Sequence, residues 1–494
     1  MKTLAFVLNL IFFALLPSVA AAGKPNVIFI VCDDLNTHVT TSGYKHIQTP
    51  TFEKLAASGM SFGRAYCQYP VCGPSRASFL SGLYPESTGV IDNFSDIRQT
   101  RPGTVSLPQA FKESGYWTAS TGKIFHNGKA DHGELAWNEV VRFENDEMPI
   151  EAAARKKWEA EHGPITRPRN RKAWREFLPT VAKQTRNQAP GWGPSGLTDA
   201  QHRDGKNARQ AAEWIDQKSD GEKPFFIAVG IHKPHVPFLA PDKYFDLYPL
   251  DKLQYEPAPP DFWKQAPRTA MCGRYKSMGF ELGAENDPLR RELMQAYHAC
   301  ITFIDAQIGM IFDSLKKNGQ WDNTIIVLTS DHGFQLGEHF MWGKDTLFEV
   351  CNRVPLIIRV PGVTTDGSSS DGLVELVDLY PTLTDLCGIS APDDLQGKSL
   401  VPMLKDPSAV GKERVYTVVS RGKELGKALR SDRWRYSRWQ DGEELYDLKN
   451  DIKEHHNLAN SPESKAILVK MRRDLAEIEK SAASKKVGSA NSVR

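Results

Sequence analysis

The sequence predicts an α/β protein: a mostly parallel central sheet flanked by helices, followed by a smaller antiparallel-sheet subdomain. Short, continuous apolar runs are the first observation. PNVIFIV at 25–31, PFFIAVG at 224–230, TIIVLT at 324–329 and VPLIIR at 354–359 read as strands buried on both faces. Helical patterns lie between them and are the second. The clearest places Leu289, Leu293, Ala296, Cys300, Ile304, Ile308, Ile311 and Leu315 at three- and four-residue spacing, ending at Asn318-Gly319. Strands alternating with helices imply a largely parallel sheet covered on both sides. The third is a change of texture late in the chain. TTDGSSSDG at 364–372 reads as a surface loop. Helical residues 373–388 follow, then shorter alternating segments near 415–419 and 434–436, and a closing helix near 463–480.

The strand ends set the next expectation. In open parallel sheets, ligands gather outside the carboxyl ends of the strands. The runs beginning near Asn26, Phe225 and Thr324 are followed there by Asp33-Asp34, by His232 to His235, and by Asp331-His332. Three polar clusters on one edge point to a site.

Bulk properties bound the rest. The first residues carry Lys2, an apolar stretch from Leu4 to Leu16 and the small residues Ala20-Ala21-Ala22, the layout of a cleaved secretory signal and too short for a membrane span. The expected organisation is a signal at 1–22, a catalytic α/β domain at 23–372, a C-terminal subdomain at 373–480 and a flexible tail at 481–494. An exported protein, periplasmic, secreted or in a lysosome-like compartment, with no membrane attachment after cleavage, is the corresponding expectation. Net charge is only +2, from 62 basic and 60 acidic residues, so a global attraction to nucleic acid has no support. Residues 145–206 are charged and rich in Arg, Pro and Trp. They read either as a solvated insertion or as a lid presenting Arg and Trp to an anionic ring. Of the seven cysteines, no two form a CxxC, and an odd count leaves at least one unpaired or otherwise used.

Asp33-Asp34 after a buried strand repel each other unless a cation neutralises them, and a hard divalent ion with oxygen ligands fits. A turn with a helix cap is the bland alternative. Asp331-His332-Gly333 repeats the placement. Lys123 and His126 lie three apart, His235 follows an extended Pro-rich path, and Lys344 follows Gly343. Such cations beside acidic pairs suit a metal held together with a tetrahedral oxyanion. Cys72-Gly-Pro-Ser-Arg76 opens a helix-like stretch whose free N–H groups, with Arg76, would face that anion.

Here the chain resembles type I sulfatases. CGPSR at 72–76 with LSG at 80–82 looks like their signature, joined in order by Asp33-Asp34, Gly122-Lys123, Pro234-His235 and Asp331-His332-Gly333. ELYDLKND at 444–451 with Asn457-Leu458 is similar to a late segment of the same family. The resemblance implies the alkaline-phosphatase-like sulfatase fold. It also implies Ca²⁺ (Mg²⁺ second) held by Asp33, Asp34, Asp331, His332 and the modified Cys72. A separate formylglycine-generating enzyme converts the family's motif Cys to Cα-formylglycine, whose hydrate is the nucleophile and forms a sulfo-enzyme intermediate. Arg76 would assist activation, and Lys123, Lys344 and His235 would neutralise the sulfate. Either His235 or Lys344 would protonate the leaving alcohol, and His126 would take the proton that releases sulfate. His232 is the alternative to His235, and the Pro-His-x-Pro match favours the latter.

Many sulfatases carry Gly-Lys-Trp-His and Asp-Asn-Gly. Here GKIFH, the Asp-His pair, AVGIHKPHVPF at 228–238 and DHGFQLGEH at 331–339 are similar to the iduronate-2-sulfatase branch, except for Phe334, where Trp stands in that branch. The implied substrate is a sulfated carbohydrate, a 2-O-sulfated uronic acid of a polysaccharide. Hydrolysis of other sulfated polysaccharides, a phosphatase or phosphonate monoester hydrolase of the same superfamily, and a non-catalytic sulfated-glycan binding protein are the alternatives.

Overall fold

The computed structural model describes residues 24–126, 133–181, 191–272 and 279–483. The expected signal at 1–22 lies outside them, as do residues 484–494 of the expected tail. The central sheet has eight strands: β1 (Asn26–Asp33), β2 (Met60–Tyr66), β3 (Trp117–Gly122), β4 (Glu139–Val141), β5 (Phe225–Pro234), β6 (Thr324–Ser330), β7 (Arg353–Arg359) and β8 (Ser368–Glu375). Their spatial order is β8-β2-β7-β6-β1-β5-β3-β4. β1 lies at the centre, parallel to both β5 and β6. β7 alone runs antiparallel, against β6 and β2, because residues 331–352 return directly to its start instead of crossing the sheet through a helix.

The alternation of β1 explains its unbroken apolar run. Ile28, Ile30 and Cys32 pack into one core, and Val27, Phe29 and Val31 into the core on the opposite face. Helix Asp287–Lys317 covers the first face with the stripe read from the sequence. Helices Leu107–Glu113 and Leu379–Leu386 cover the second. At ~1.5–3 kcal/mol for each buried aliphatic or aromatic side chain, these two layers hold the strand ends in fixed register.

The C-terminal sheet is a four-strand antiparallel meander, β9 (Arg414–Arg421), β10 (Glu424–Ser431), β11 (Trp434–Trp439) and β12 (Gly442–Asp447). Helix Lys465–Ala483 packs on it. Three boundaries differ from expectation. Residues 368–372, read as loop, begin β8, which pairs with β2 at the sheet edge. An edge strand needs only main-chain partners along its exposed part, so Ser and Gly do not exclude it. The division at 372/373 therefore falls inside a strand, residues 373–375 are extended, and helix Leu379–Leu386 belongs to the central core. Finally, residues 481–483 finish the last helix.

Within the segment 145–206, helices Pro149–His162 and Pro168–Phe177 join around a small core of Trp158, Trp174 and Leu178. The segment closes before 206, since helix Arg203–Lys218 already packs on the central layer. No described helix is long and apolar enough to cross a membrane.

Candidate active site

The carboxyl ends of β6, β1 and β5 coincide: Cys32 stands opposite Ser330 on one side and Ile231 on the other. Each strand thus releases its polar cluster at the same edge. Asp34 takes a left-handed conformation with φ 65°, which aspartate tolerates better than bulkier residues, and the chain turns there. Its main-chain N–H donates to Asp331 Oδ1 at 3.1 Å, joining the two acidic clusters. β3 adds Lys123 because β3 and β5 approach unusually closely. A Cβ on Gly122 would lie 1.9 Å from the Gly230 carbonyl oxygen, and one on Gly230 would lie 2.1 Å from that of Lys123.

Cys72 is the first residue of helix Cys72–Ser81, every residue of which is buried. A helix buried all round has no polar face, which is why its sequence lacks an amphipathic pattern. Arg76, one turn on, is fully buried and organises the acids. Its Nε donates to Asp331 Oδ2 at 2.9 Å and its Nη2 to Asp33 Oδ1 at 3.4 Å, while Nη1 donates to the carbonyls of Lys123 and Ile124. Lys123 Nζ lies 2.6 Å from Asp33 Oδ2. Lys344 Nζ lies 2.5 Å from Asp34 Oδ1 and 2.9 Å from Cys72 Sγ. His332 Nε2 is 3.4 Å from the same sulfur.

Burial opposes ionisation of Asp33, but Lys123, His235 and Arg76 outweigh it and hold the carboxyl well below the usual range. Asp34 is likewise held down against burial, chiefly by Lys344. Both are carboxylates at neutral pH. Burial pushes the Cys72 thiol up to about 12, reinforced by Asp33 and opposed by the lysines, so the encoded side chain is a protonated, poor nucleophile. His126 is held at about 3 by burial and Lys123, and its Nδ1 is buried without a hydrogen-bond partner.

The residues fit a hard cation. Ligand atoms of Asp33, Cys72, Asp331 and His332 all lie within 4.8 Å of one another, and Asp34 Oδ2 is buried with no hydrogen-bond partner. Three carboxylates in one dry cage match oxygen-preferring ions, whereas a thiol does not.

A sulfatase family model matches residues 25–389, and a model of the N-sulphoglucosamine sulphohydrolase C-terminal region matches 337–481. The chain belongs to the sulfatase family. It is a sulfuric ester hydrolase with the family's α/β fold. A sulfatase of Formosa agariphila is 34% identical over 451 residues, covering 89% of this chain and 83% of the relative. Human iduronate 2-sulfatase is 30% identical over 415 residues, covering 74% and 70%. The phosphonate monoester hydrolase of Agrobacterium radiobacter superposes with a TM-score of 0.73 at 22% identity, over 93% of this chain and 96% of that one.

Every site residue expected of this sulfatase gathers at the strand-end edge. Both candidate histidines do so: His232 Nδ1 is 3.7 Å from Asp33 Oδ2 and His235 Nε2 is 4.0 Å from Asp34 Oδ2. Several supports escaped the sequence reading. Buried Asp204 accepts the main-chain N–H groups of His232 and Lys233 at 2.8 Å each, fixing the histidine segment. Tyr297 donates to the Asp34 carbonyl at 2.6 Å, although its helix reads only as an apolar stripe. Ser75 Oγ donates to the Asp331 carbonyl at 2.5 Å. Neither Asp204 nor Tyr297 has a motif; topology alone brings them in. In the 145–206 segment Trp158 and Trp174 pack together in a small core of their own, and Trp174 also borders the cavity beside His232 and His235. Arg171 and Arg175 face the same cavity. Of the cysteines other than Cys72, Cys32, Cys67, Cys300, Cys351 and Cys387 are buried free thiols.

Proposed function

We propose that this sulfatase hydrolyses a sulfate ester on a sugar, specifically a 2-O-sulfated uronic acid of a glycosaminoglycan or similar polysaccharide, after export. The observation that carries the reading is the placement of Cys72. It faces three carboxylates, His332 and Lys344 at the mouth of a fully buried cage, with a thiol too basic to act as encoded. Similarity to human iduronate 2-sulfatase, together with the GKIFH and Asp-His variants, supports the uronate.

In this reading Cys72 is converted to Cα-formylglycine by a dedicated maturation enzyme. Asp33, Asp34, Asp331 and His332 would hold Ca²⁺, with Mg²⁺ as the second candidate. When present, the hydrated aldehyde supplies an oxygen nucleophile for sulfur and the cation draws charge from the sulfate oxygens. The protein's own groups do the rest. Arg76 fixes Asp33 and Asp331, so the cage does not reorganise as charge moves. Lys123 and Lys344 place ammonium groups against the sulfate. Asp34, the two other acids and Cys72 keep Lys344 charged against burial, so it retains a proton for the departing alcohol oxygen. Burial holds His235 at about 4, leaving it neutral until an anion arrives beside it. Neutral His126, its Nδ1 unpartnered, is placed to accept a proton.

The test has two parts. Mass spectrometry of the peptide containing position 72 should show conversion of the cysteine. Ion chromatography should then detect sulfate from a 2-O-sulfated uronide faster than from sulfated galactans, and no turnover of matched phosphate or phosphonate esters at comparable rates. A converted enzyme that releases no sulfate from any 2-O-sulfated uronate refutes the uronate.

A further inference from the structure

Beside the cage lies a second cavity of about 840 Å³, near the upper end of the roughly 300–1,000 Å³ spanned by small-molecule sites. It is far larger than a single sulfate needs. His232 and His235 form its boundary with the cage. Its outer wall comes from the insertion, where Arg171 and Arg175 line it from helix Pro168–Phe177. Spaced i and i+4, they project one turn apart from the same helix face. Arg203 lines the floor, its Nη1 donating to Asn145 Oδ1 at 2.5 Å.

Lys233 is the deepest of these cations. It is 3% exposed, yet its ammonium donates only to main-chain oxygens, those of Pro237 and of His235, the latter at 3.4 Å. Among the described residues no carboxylate lies within ion-pair distance of it. Its charge acts on Asp146, whose carboxyl is held below its usual range against burial by His202 and then by Lys233, and a buried cation in this position is stabilised further by a second anion. Two acids also line the cavity. Asp146 is engaged by His202 Nδ1 at 2.9 Å and by the main-chain N–H of Arg203 at 2.5 Å, and Glu144 is exposed. Four permanent cations therefore face two carboxylates, one of them already bonded.

We propose that this cavity is a subsite for the sugar next to the scissile residue, and that Arg171, Arg175 and Lys233 bind a second sulfate carried on that sugar. The inference rests on the sugar-sulfate reading above and deepens it: the substrate is an oligosaccharide of at least two residues bearing a second sulfate. The insertion, by this argument, sets specificity through Arg171 and Arg175 while taking no part in the chemistry. Its tryptophan core serves to hold those two arginines at a fixed height over the histidines.

Binding to a C72A protein, which cannot turn substrate over, separates this inference from the catalytic reading. Isothermal titration calorimetry with CaCl₂ present compares C72A, C72A/R171Q/R175Q and C72A/K172Q. Lys172 is exposed on the same helix but does not line the cavity. The probes are two heparin-derived disaccharides with a 2-O-sulfated uronate, one carrying a 6-O-sulfate on the glucosamine and one without it, and 4-nitrophenyl sulfate. The double-arginine variant should bind the disulfated disaccharide about tenfold more weakly, the equivalent of ~1.4 kcal/mol. The K172Q variant should match its parent. A smaller loss with the disaccharide lacking the 6-O-sulfate supports the second sulfate as the bound anion, whereas an equal loss would put the contact on the scissile uronate and overturn the subsite. Equal binding by all three proteins, no saturable binding of either disaccharide, or the same loss for 4-nitrophenyl sulfate would overturn the subsite. Saturable, arginine-dependent binding by C72A with no sulfate release by the converted wild type would leave the subsite standing and refute the uronate-sulfatase reading instead.

Discussion

The strand-end cage and the helical insertion meet at His232 and His235, yet they hold their charges on opposite terms. In the cage Asp33, Asp34, Arg76, Asp331 and His332 are completely buried and bonded to one another. In the insertion Arg171 and Arg175 stand at the surface, above a small buried core of Trp158, Trp174 and Leu178. A buried charge must be matched atom by atom, so its neighbours are fixed by the fold. An exposed one is solvated wherever it points, so it can be changed without disturbing the protein. Reaction chemistry belongs in the first setting and substrate selection in the second.

The sharpest way to break this contrast is Arg76→Ala. It strands Asp33 and Asp331 in the interior, and loss of about 3–5 kcal/mol is expected, seen as a large drop in denaturant midpoint together with abolished sulfate release. A variant that melts like wild type would mean the cage is not held by charge matching. Chelation comes next. An ion bound at a hundred times its Kd adds ~2.7 kcal/mol, so EDTA should lower the melting temperature of wild type, and calcium should restore it. The same treatment should leave Asp34→Asn less affected.

The legibility of the molecule follows the same divide. Asp33-Asp34, Cys72 to Arg76 and Asp331-His332 are contiguous in sequence because each comes from one strand end or one helix start, so short motifs expose them. Their convergence was also readable, from three apolar runs each ending in polar residues. Asp204 and Tyr297 were not, since each contributes one side chain or one ring from a helix whose pattern reports only packing. Residues 368–372 misled because main-chain pairing at a sheet edge leaves no mark on side-chain composition. The arginines of the insertion were visible as a charge run, but which of them face the cavity depends on a fold the run does not encode.

A smaller effect tests the buried side through pH. Burial holds His339 at about 3 and pulls His298 well below its ordinary 6.5. Both are neutral in the fold, whereas the unfolded chain takes up protons below about 6.5. Stability from these rings is therefore complete above pH 6.5 and declines as pH falls toward the folded values, by up to ~1.4 kcal/mol per unit for each. Thermal melts at pH 7 and pH 5 should show the loss, and His339→Gln should reduce it. Least of all should Trp174→Ala matter to the whole protein. It empties the insertion's own core, so hydrogen exchange should quicken across 149–178 while exchange in β1 and β6 stays unchanged. Faster exchange in β1 would show that the two regions are energetically one.

The hydrogen bond from Asp34 to Asp331 spans 297 positions, and the contact of Cys72 with Lys344 spans 272. Pairings so distant in sequence form late, after the intervening chain has been made and has condensed. No N-terminal fragment can assemble the cage, because until β6 docks beside β1 neither Asp331 nor Lys344 is in place. Cys72, inaccessible in the finished protein, is thus reachable for as long as the ribosome is still supplying its partners. In the proposed reading, the schedule of synthesis itself would give a maturation enzyme its opportunity, and docking of β6 would end it.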